Sequence, residues 1–498
     1  MTTRLAALLW SPALLLLAGC AVGPKYVRPA APVPPAYKEE GPPATGEGPT
    51  WKAAAPADET LRGDWWTMFG DPQLSALEAR LAVSSETLKI AEAQFRQARA
   101  LVRFARADYA PTVTAGASIT RARLSRNRPI GQTNGASTYS DFVLPVDVSY
   151  EADLWGRIRR TVEARRAEAQ AAAGDVASVL LSLQAELAFD YFELRGLDAV
   201  GRLLDATVVA YEKALDLTRN RYQGGIASAA EVAQAETQLE ATRAQRIDLG
   251  VQRAAFEHAI AALVGEPAST FSIAVAPTDV RPPAIPAGLP SDLLQRRPDV
   301  AAAERRVAAA NAQIGVARTA FFPSLLLSAT GGFESGRAAT WLSGPSLLWS
   351  VGSGLVQALF DGGRRRALSD QAQAAYDGTV ASYRDLVLTS FAQVEDNLAA
   401  LRILAEEADR QEAAVKAAER ALVLSTNRYK GGIVTYLEVA TAQSTALANE
   451  RIAVELTTRR IAASVLLVKA LGGGWDASAL PRVDALLSPT GSGLRVPE

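Results

Sequence analysis

Two stretches of this chain repeat each other at a fixed distance. Asn220, Arg221, Tyr222, Gly224, Gly225 and Ile226, followed by Glu231, Val232, Ala233 and Ala235, return as Asn427, Arg428, Tyr429, Gly431, Gly432, Ile433, Glu438, Val439, Ala440 and Ala442. Every pair is 207 residues apart, with no slip. Solenoid repeats have periods of ~20–50 residues, so this spacing marks two halves of one object. Each copy lies between two long segments of helical spacing, which makes each Gly-Gly pair the tip of a helical hairpin. Glycine there can take the left-handed conformation that ends one helix and lets the chain turn.

The long helices are expected to begin at Arg157 and Arg364, again 207 residues apart and each after a glycine. From Leu194 the first carries Leu197, Leu204, Val208, Tyr211, Leu215 and Tyr222, and the second answers with Leu401, Leu404, Val415, Leu422 and Tyr429. Apolar residues kept to a seven-residue period form a seam for neighbouring helices. At ~1.5 Å per residue, Arg157 to Tyr222 spans roughly 100 Å if unbroken. A compact domain cannot hold such a rod. Its other positions are largely Ala, Gln, Glu or Arg, so it needs lateral partners while keeping a wet side.

Ahead of each hairpin the period changes from helical to two. Leu88, Ala91, Phe95, Ala98 and Val102 make one helical stripe over Ser85–Arg106, closed by Pro111. Val113, Ala115, Ala117 and Ile119 then alternate with polar residues, and after a polar loop over Arg121–Ser140, Val146, Val148, Tyr150, Ala152 and Leu154 do the same. The second half repeats the order: a helix over Ala308–Ala320, a stop at Pro323, then Leu325, Leu327, Ala329 and Phe333, and finally Trp349, Val351 and Leu355. Strands of about ten residues with one apolar face suit either a tilted membrane strand or a soluble hairpin with one wet side. Four strands cannot close a barrel, and lipid does not tolerate an open sheet edge. Two copies would give eight strands, whose interior side chains nearly fill, whereas three copies leave an aqueous lumen.

Composition narrows the chemistry. The 498 residues hold 52 basic and 53 acidic side chains, one Cys and one His, so charge gives no case for a nucleic-acid partner. That inventory leaves no disulfide, no Cys/His metal cluster and no Ser–His–Asp or Cys–His arrangement beyond the lone His258. A carboxylate-based hydrolase is the remaining enzymatic alternative. Its glutamates, though, lie along helices rather than converging in motifs.

The sole cysteine sits at an informative place. Arg4 precedes an apolar run from Leu5 to Leu17, too short to span a membrane, and Ala18-Gly19-Cys20 follows. Leu17-Ala18-Gly19-Cys20 resembles a bacterial lipobox. That resemblance implies removal of residues 1–19 and lipid (N-acyl and S-diacylglycerol) on Cys20 as the first mature residue. Ala21, where an Asp would favour inner-membrane retention, points to the outer membrane. The Pro- and Gly-rich residues that follow should form an extended arm (20–60), and Trp51, Trp65, Trp66 and Phe69 should dock it before a first helix near Asp71-Pro72.

Segments along nearly the whole mature length resemble the TolC-like outer-membrane efflux channels, in their lipoprotein subgroup of the OprM/NodT type. They are Cys20 with Gly23-Pro24-Lys25-Tyr26; Trp65-Trp66, Phe69 and Asp71-Pro72; Asp153-Leu154-Trp155-Gly156-Arg157; and Arg296-Arg297-Pro298-Asp299-Val300. Ala309–Ala317 with Phe321-Phe322-Pro323-Ser324, Phe360-Asp361-Gly362-Gly363-Arg364 and Ala470-Leu471-Gly472-Gly473-Gly474-Trp475 complete them. The resemblance implies a mixed α and β fold made of a duplicated helix, two-strand, helical-hairpin unit (repeats 61–265 and 290–472, linker 266–289, tail 473–498). It implies strands near 112–124, 142–154, 324–334 and 347–359, and hairpin helices near 157–222, 227–264, 363–429 and 434–471.

It further implies a homotrimer with a twelve-stranded barrel in the outer membrane of a Gram-negative bacterium and a periplasmic α-barrel. The partners would be a periplasmic adaptor and an inner-membrane pump of the RND type. The chain would be a passive duct, with no catalytic residues, no metal and no cofactor besides the lipid. Leu437, Glu438 and Thr441 match the family's periplasmic aperture, with Glu231 and Gln234 as first-repeat counterparts. Tyr429 matches a tyrosine that latches the closed state, whereas Val434 and Thr441 stand where a latch arginine and a second aperture acid would be. Tyr222, Gly224, Gly225, Gly431 and Gly432 complete the latch and adaptor-facing tip. The alternatives are a conduit for type I protein secretion and a structural periplasmic lipoprotein that conducts nothing.

Overall fold

The structure is a computed structural model that describes residues 21–39, 63–125, 138–276, 280–283, 285, 290–482 and 485–486. Cys20 and Trp51 lie outside these. In chain order the helices are α1 (Pro72–Ser84), α2 (Glu86–Ala107), α3 (Arg157–Gln223), α4 (Ala229–Leu263), α5 (Pro290–Arg296), α6 (Pro298–Thr319), α7 (Arg364–Lys430) and α8 (Tyr436–Leu471). The strands are β1 (Thr112–Ala115), β2 (Ser118–Arg123), β3 (Thr138–Ala152), β4 (Ser324–Ser335) and β5 (Leu347–Val356).

The rods begin at Arg157 and Arg364 as the spacing predicts, and each runs 67 residues. Other bounds differ. The α6 helix starts ten residues before Ala308, at Pro298, where proline fits the first helical turn. The loop placed over Arg121–Ser140 is shorter, because β2 reaches Arg123 and β3 starts at Thr138. The second and fourth strands end earlier than read, at Ala152 and Val356, since Asp153 and Asp361 are used for the turn into a helix. Asp153 accepts from the backbone N–H groups of Ile158 (3.0 Å) and Arg159 (2.9 Å), and Asp361 from that of Arg365 (3.2 Å). These carboxylates satisfy orphan donors at each rod's first turn.

All strand pairs are antiparallel, in the order β1/β2, β3, β4, β5. β1 and β2 are halves of one strand, interrupted opposite Pro145, whose carbonyl accepts from Gly116 N–H at 3.0 Å. The helices beside the strands follow the same order: α2 packs on α3, α3 on α6, and α6 on α7. Farther on, α3 pairs with α4 and α7 with α8, and α3 touches α8. A ladder of ion pairs fixes the first hairpin's register: Arg253–Asp198 (2.8 Å), Arg246–Asp205 (2.8 Å), Arg243–Glu212 (2.5 Å) and Arg219–Glu236 (2.6 Å).

The N-terminal arm lies along the helices. Val22 donates to the Trp155 carbonyl (3.0 Å), Asn311 to that of Pro24 (3.2 Å), and Arg384 to that of Ala30 (3.0 Å). Glu395 accepts from the backbone of Lys38 (2.8 Å) and Glu39 (3.0 Å). Gly23 has φ of +107° and presses on Gly315, where a Cβ would come within 2.5 Å of the Gly315 Cα; no other residue fits.

The main core lies where the arm, α1, α3, α7 and α8 meet. Trp65, Trp66 and Phe69 are buried there, with Phe69 4.9 Å from Phe192. Within it Glu78 is 0% exposed, and neither carboxylate oxygen has a hydrogen-bond partner. Burial, with Asp64 adding to it, pushes this carboxyl well above the usual range. The unfolded chain ionises Glu78 near pH ~4.3 while the folded chain holds the proton, so folding takes one up. This contribution is fully present below the unfolded pKa and is lost as pH rises through the raised folded value. Glu78→Leu should therefore stabilise the detergent-solubilised protein at pH 7.5 by roughly 1–3 kcal/mol and flatten its stability profile from pH 5 upward. Thermal melts that show Glu78→Leu less stable than wild type would contradict this.

Candidate functional site

The strand register sorts side chains into two faces. One row across the sheet reads Val113, Val148, Ala329 and Val351, and the next reads Thr114, Asp147, Thr330 and Ser350. A third returns to Ala115, Val146, Gly331 and Trp349. On the apolar face Val351 is 77% exposed and Trp349 76%. On the polar face Thr330 Oγ1 donates to Asp147 Oδ1 at 2.6 Å. Among the described residues the outer edges of β1, β2 and β5 have no strand partner. An apolar face this open, opposite a hydrogen-bonding face, fits lipid outside and water inside. Near the strand–helix junction Trp155 stacks on Phe322 at 4.8 Å and donates to the Pro323 carbonyl at 2.8 Å, with Phe321 exposed beside Phe322 and Phe360 exposed in the turn between β5 and α7. Aromatic residues at this level suit a membrane interface.

At the other end, the two hairpin tips share one backbone geometry. Gly224 and Gly431 donate to the carbonyls of Asn220 and Asn427, each at 3.0 Å, and Ile226 and Ile433 to those of Arg221 (2.8 Å) and Arg428 (3.0 Å). Only the second glycine of each pair is left-handed: Gly225 has φ of +75° and Gly432 +74°. The side chains are used differently. Tyr429 is 2% exposed, and its hydroxyl lies within hydrogen-bond distance of Thr218 Oγ1 (3.3 Å) and Glu231 Oε2 (3.4 Å). Tyr222, its twin, is 50% exposed.

Arg221, which the sequence quoted only as part of the motif, ties the hairpins together. Its guanidinium lies 4.6 Å from the Tyr429 ring centroid and donates to the carbonyls of Tyr429 (2.8 Å) and Lys430 (3.3 Å). The signal for it was present, since Asn-Arg-Tyr recurs in both copies. The contact itself depends on how the hairpins pack. Arg428 instead reaches Glu438 at 3.2 Å, with both side chains about half exposed. Behind Tyr429, Tyr436 is buried edge-on to it at 5.7 Å, in a cluster with Tyr211, Leu239 and Val439. Burial raises the Tyr429 hydroxyl, as does the Glu231 charge, and pushes Tyr436 up to about 12. Both phenols are therefore neutral hydrogen-bonding groups at ordinary pH.

Of the residues expected at an aperture, Gln234 and Leu437 line a groove of about 720 Å³ between α4 and α8, together with Tyr211, Gln238, Ser444 and Arg451. Leu437 is exposed, and Thr441 donates to the Leu437 carbonyl at 2.8 Å. Glu231 joins the Tyr429 contact, and Glu438 pairs with Arg428 outside the groove. Val434, which stands where the resemblance would have a latch arginine, packs against the tyrosine cluster.

Comparison with known proteins adds four findings. Residues 77–266 and 289–473, one span in each repeat, match the family described as outer membrane efflux protein. The chain is 36% identical over 440 residues to the pyoverdine export outer membrane protein OpmQ of Pseudomonas aeruginosa, covering 87% of this chain and 92% of that one. It is 33% identical over 472 residues to the outer membrane protein OprJ of the same organism (93% and 94% covered). It superposes on the solved structure of the outer-membrane channel OprN with a TM-score of 0.83, at 30% identity, over 92% of this chain and all of that one.

Proposed function

The chain belongs to the outer membrane efflux protein family, and from that premise we propose that three copies form the exit duct of a tripartite efflux system. The observation that carries this reading is the unpaired sheet, lipid-compatible on one face and hydrophilic on the other. Three sheets joined edge to edge give twelve strands and a lumen lined by residues such as Asp147, Thr330 and Ser350. The same operation sets α2 of one copy beside α7 of the next. Exposed Ile90, Leu101 and Phe104 on α2, and Leu368 and Leu388 on α7, are the apolar surfaces such contacts would cover. An inner-membrane pump of the RND type and a periplasmic adaptor supply energy and substrate. The duct does no chemistry.

The exported compound is a small molecule, selected by the pump. Exposed Gly224, Gly225, Gly431 and Gly432 face the adaptor. A lipid on Cys20 anchors the arm: Ala21 sits against Gly156 and Val22 bonds to Trp155, which puts the arm's start at the membrane end of the helices.

Within the duct, Leu437, Glu438 and Thr441, with Glu231 and Gln234, form the narrow periplasmic mouth. Three Glu438 side chains around one axis favour cations, and Arg428, 3.2 Å away in an exposed, water-screened pair, offsets part of that field. Detergent-purified protein should run as a trimer and conduct ions in planar bilayers. Glu438→Ala should raise anion permeability relative to cation permeability. A protein that stays monomeric and water-soluble without detergent would sink the channel reading, and unchanged selectivity would sink the role given to Glu438.

A further inference from the structure

We infer that the clasp holding the two hairpins of one chain together is rebuilt between chains, with Arg428 of one copy closing on Tyr222 of the next. The inference rests on the ring of identical copies proposed above. Within one chain the clasp has four parts: the Arg221 guanidinium, the Tyr429 ring and backbone carbonyl, the Thr218 hydroxyl and the Glu231 carboxylate. Shifted by the 207-residue repeat, Arg221 becomes Arg428, Thr218 becomes Ser425 and Glu231 becomes Glu438. The phenol that answers Tyr429 is Tyr222. A guanidinium, a phenol, a hydroxyl and a carboxylate recur in the second set, on tips whose backbone bonds match.

What differs is completion. The first set is assembled and its tyrosine is buried. In the second, Tyr222 and Arg428 are each about half exposed, and no contact joins them. The order of the helices explains this. Along the hairpins it runs α4, α3, α8, α7, so α3 has α8 of its own chain as neighbour while α7 stands at an edge. In a closed ring the neighbour of α7 is α4 of the next copy, in the relation α8 bears to α3. That relation sets the partner subunit's Tyr222 before Arg428, Ser425 and Glu438.

Meanwhile Arg428 rests on Glu438, an exposed pair that water screens and the clasp can draw on. Glu438 then does for the incoming Tyr222 hydroxyl what Glu231 does for Tyr429. With six tips round the ring, three junctions lie within chains and three between them, all of one construction.

A short homobifunctional maleimide applied to full-length protein in outer membranes tests this. The double variant Tyr222→Cys/Arg428→Cys should give covalent dimers and trimers on denaturing gels. Arg221→Cys/Tyr429→Cys should bridge within one chain and stay at monomer mass, and single-cysteine variants control for Cys20. Trimers in detergent whose Tyr222→Cys/Arg428→Cys form yields only monomer-mass bands would overturn the clasp but leave the ring standing. Monomers in detergent would overturn both. Because cysteines could loosen the tip, a second readout uses alanine. Tyr222→Ala and Arg428→Ala should each raise resting conductance several-fold, and the double variant no further than either alone. Fully multiplicative effects would refute the contact.

Discussion

Replacing Val351 with arginine (Val351→Arg) is expected to abolish trimers in the outer membrane, whereas Ser350→Arg, one residue away, is expected to leave them intact. Val351 is at the middle of β5, in the row with Val113, Val148 and Ala329, and its side chain is open on the apolar face. An arginine at the midplane of a lipid-facing strand costs about 2–4 kcal/mol, and the ring repeats the insult in each copy. Ser350 lies in the row with Asp147 and Thr330, on the watery face, where a guanidinium keeps its hydration and gains a carboxylate near by. Unheated gels of outer-membrane fractions, probed for the trimer band, decide the matter. Equal loss or equal retention in both variants would mean that the faces have been assigned wrongly.

Loss of the Arg221 side chain (Arg221→Ala) should leave the duct assembled but leaky at its periplasmic end. The guanidinium makes two hydrogen bonds to carbonyls and one cation–π contact, all across the join between hairpins. Charged hydrogen bonds contribute ~1.5–3 kcal/mol each and the ring contact ~0.5–2, not fully additive, so about 3 kcal/mol per chain is a fair scale. At ~1.4 kcal/mol per tenfold, the balance between closed and open tips shifts by roughly a hundredfold. Planar-bilayer recordings should show longer open dwells than wild type does. Arg221→Lys should fall between, because its ammonium can still donate to the carbonyls but lacks the flat guanidinium face that stacks on the ring. Wild-type gating in Arg221→Ala would remove the clasp from the account of closure.

Much of this architecture is legible in the sequence because it is governed by period. Alternation fixes the faces of the strands, since each residue along a strand changes side and register then aligns equal faces. The starts of both rods are marked by glycine-arginine pairs exactly one repeat apart. Contacts between elements far apart in the chain are less visible. Tyr222 and Tyr429 sit in almost the same local sequence, yet one is half exposed and the other buried, because burial depends on which hairpin stands alongside. Arg221 and Arg428 divide in the same way. Glu78 escapes notice for a different reason: a glutamate within a helical stripe looks solvated until α1 is packed into the core. The break between β1 and β2 needed the knowledge that Pro145 lies opposite.

The unpaired strand edges also bear on how the protein is made. A freshly exported copy, before it meets two others, presents raw backbone donors and acceptors along two borders and a greasy sheet between them. Such borders recruit any extended peptide they touch. Passage across the periplasm is thus its most vulnerable moment, and safe delivery calls for escort or for rapid encounter with sister chains.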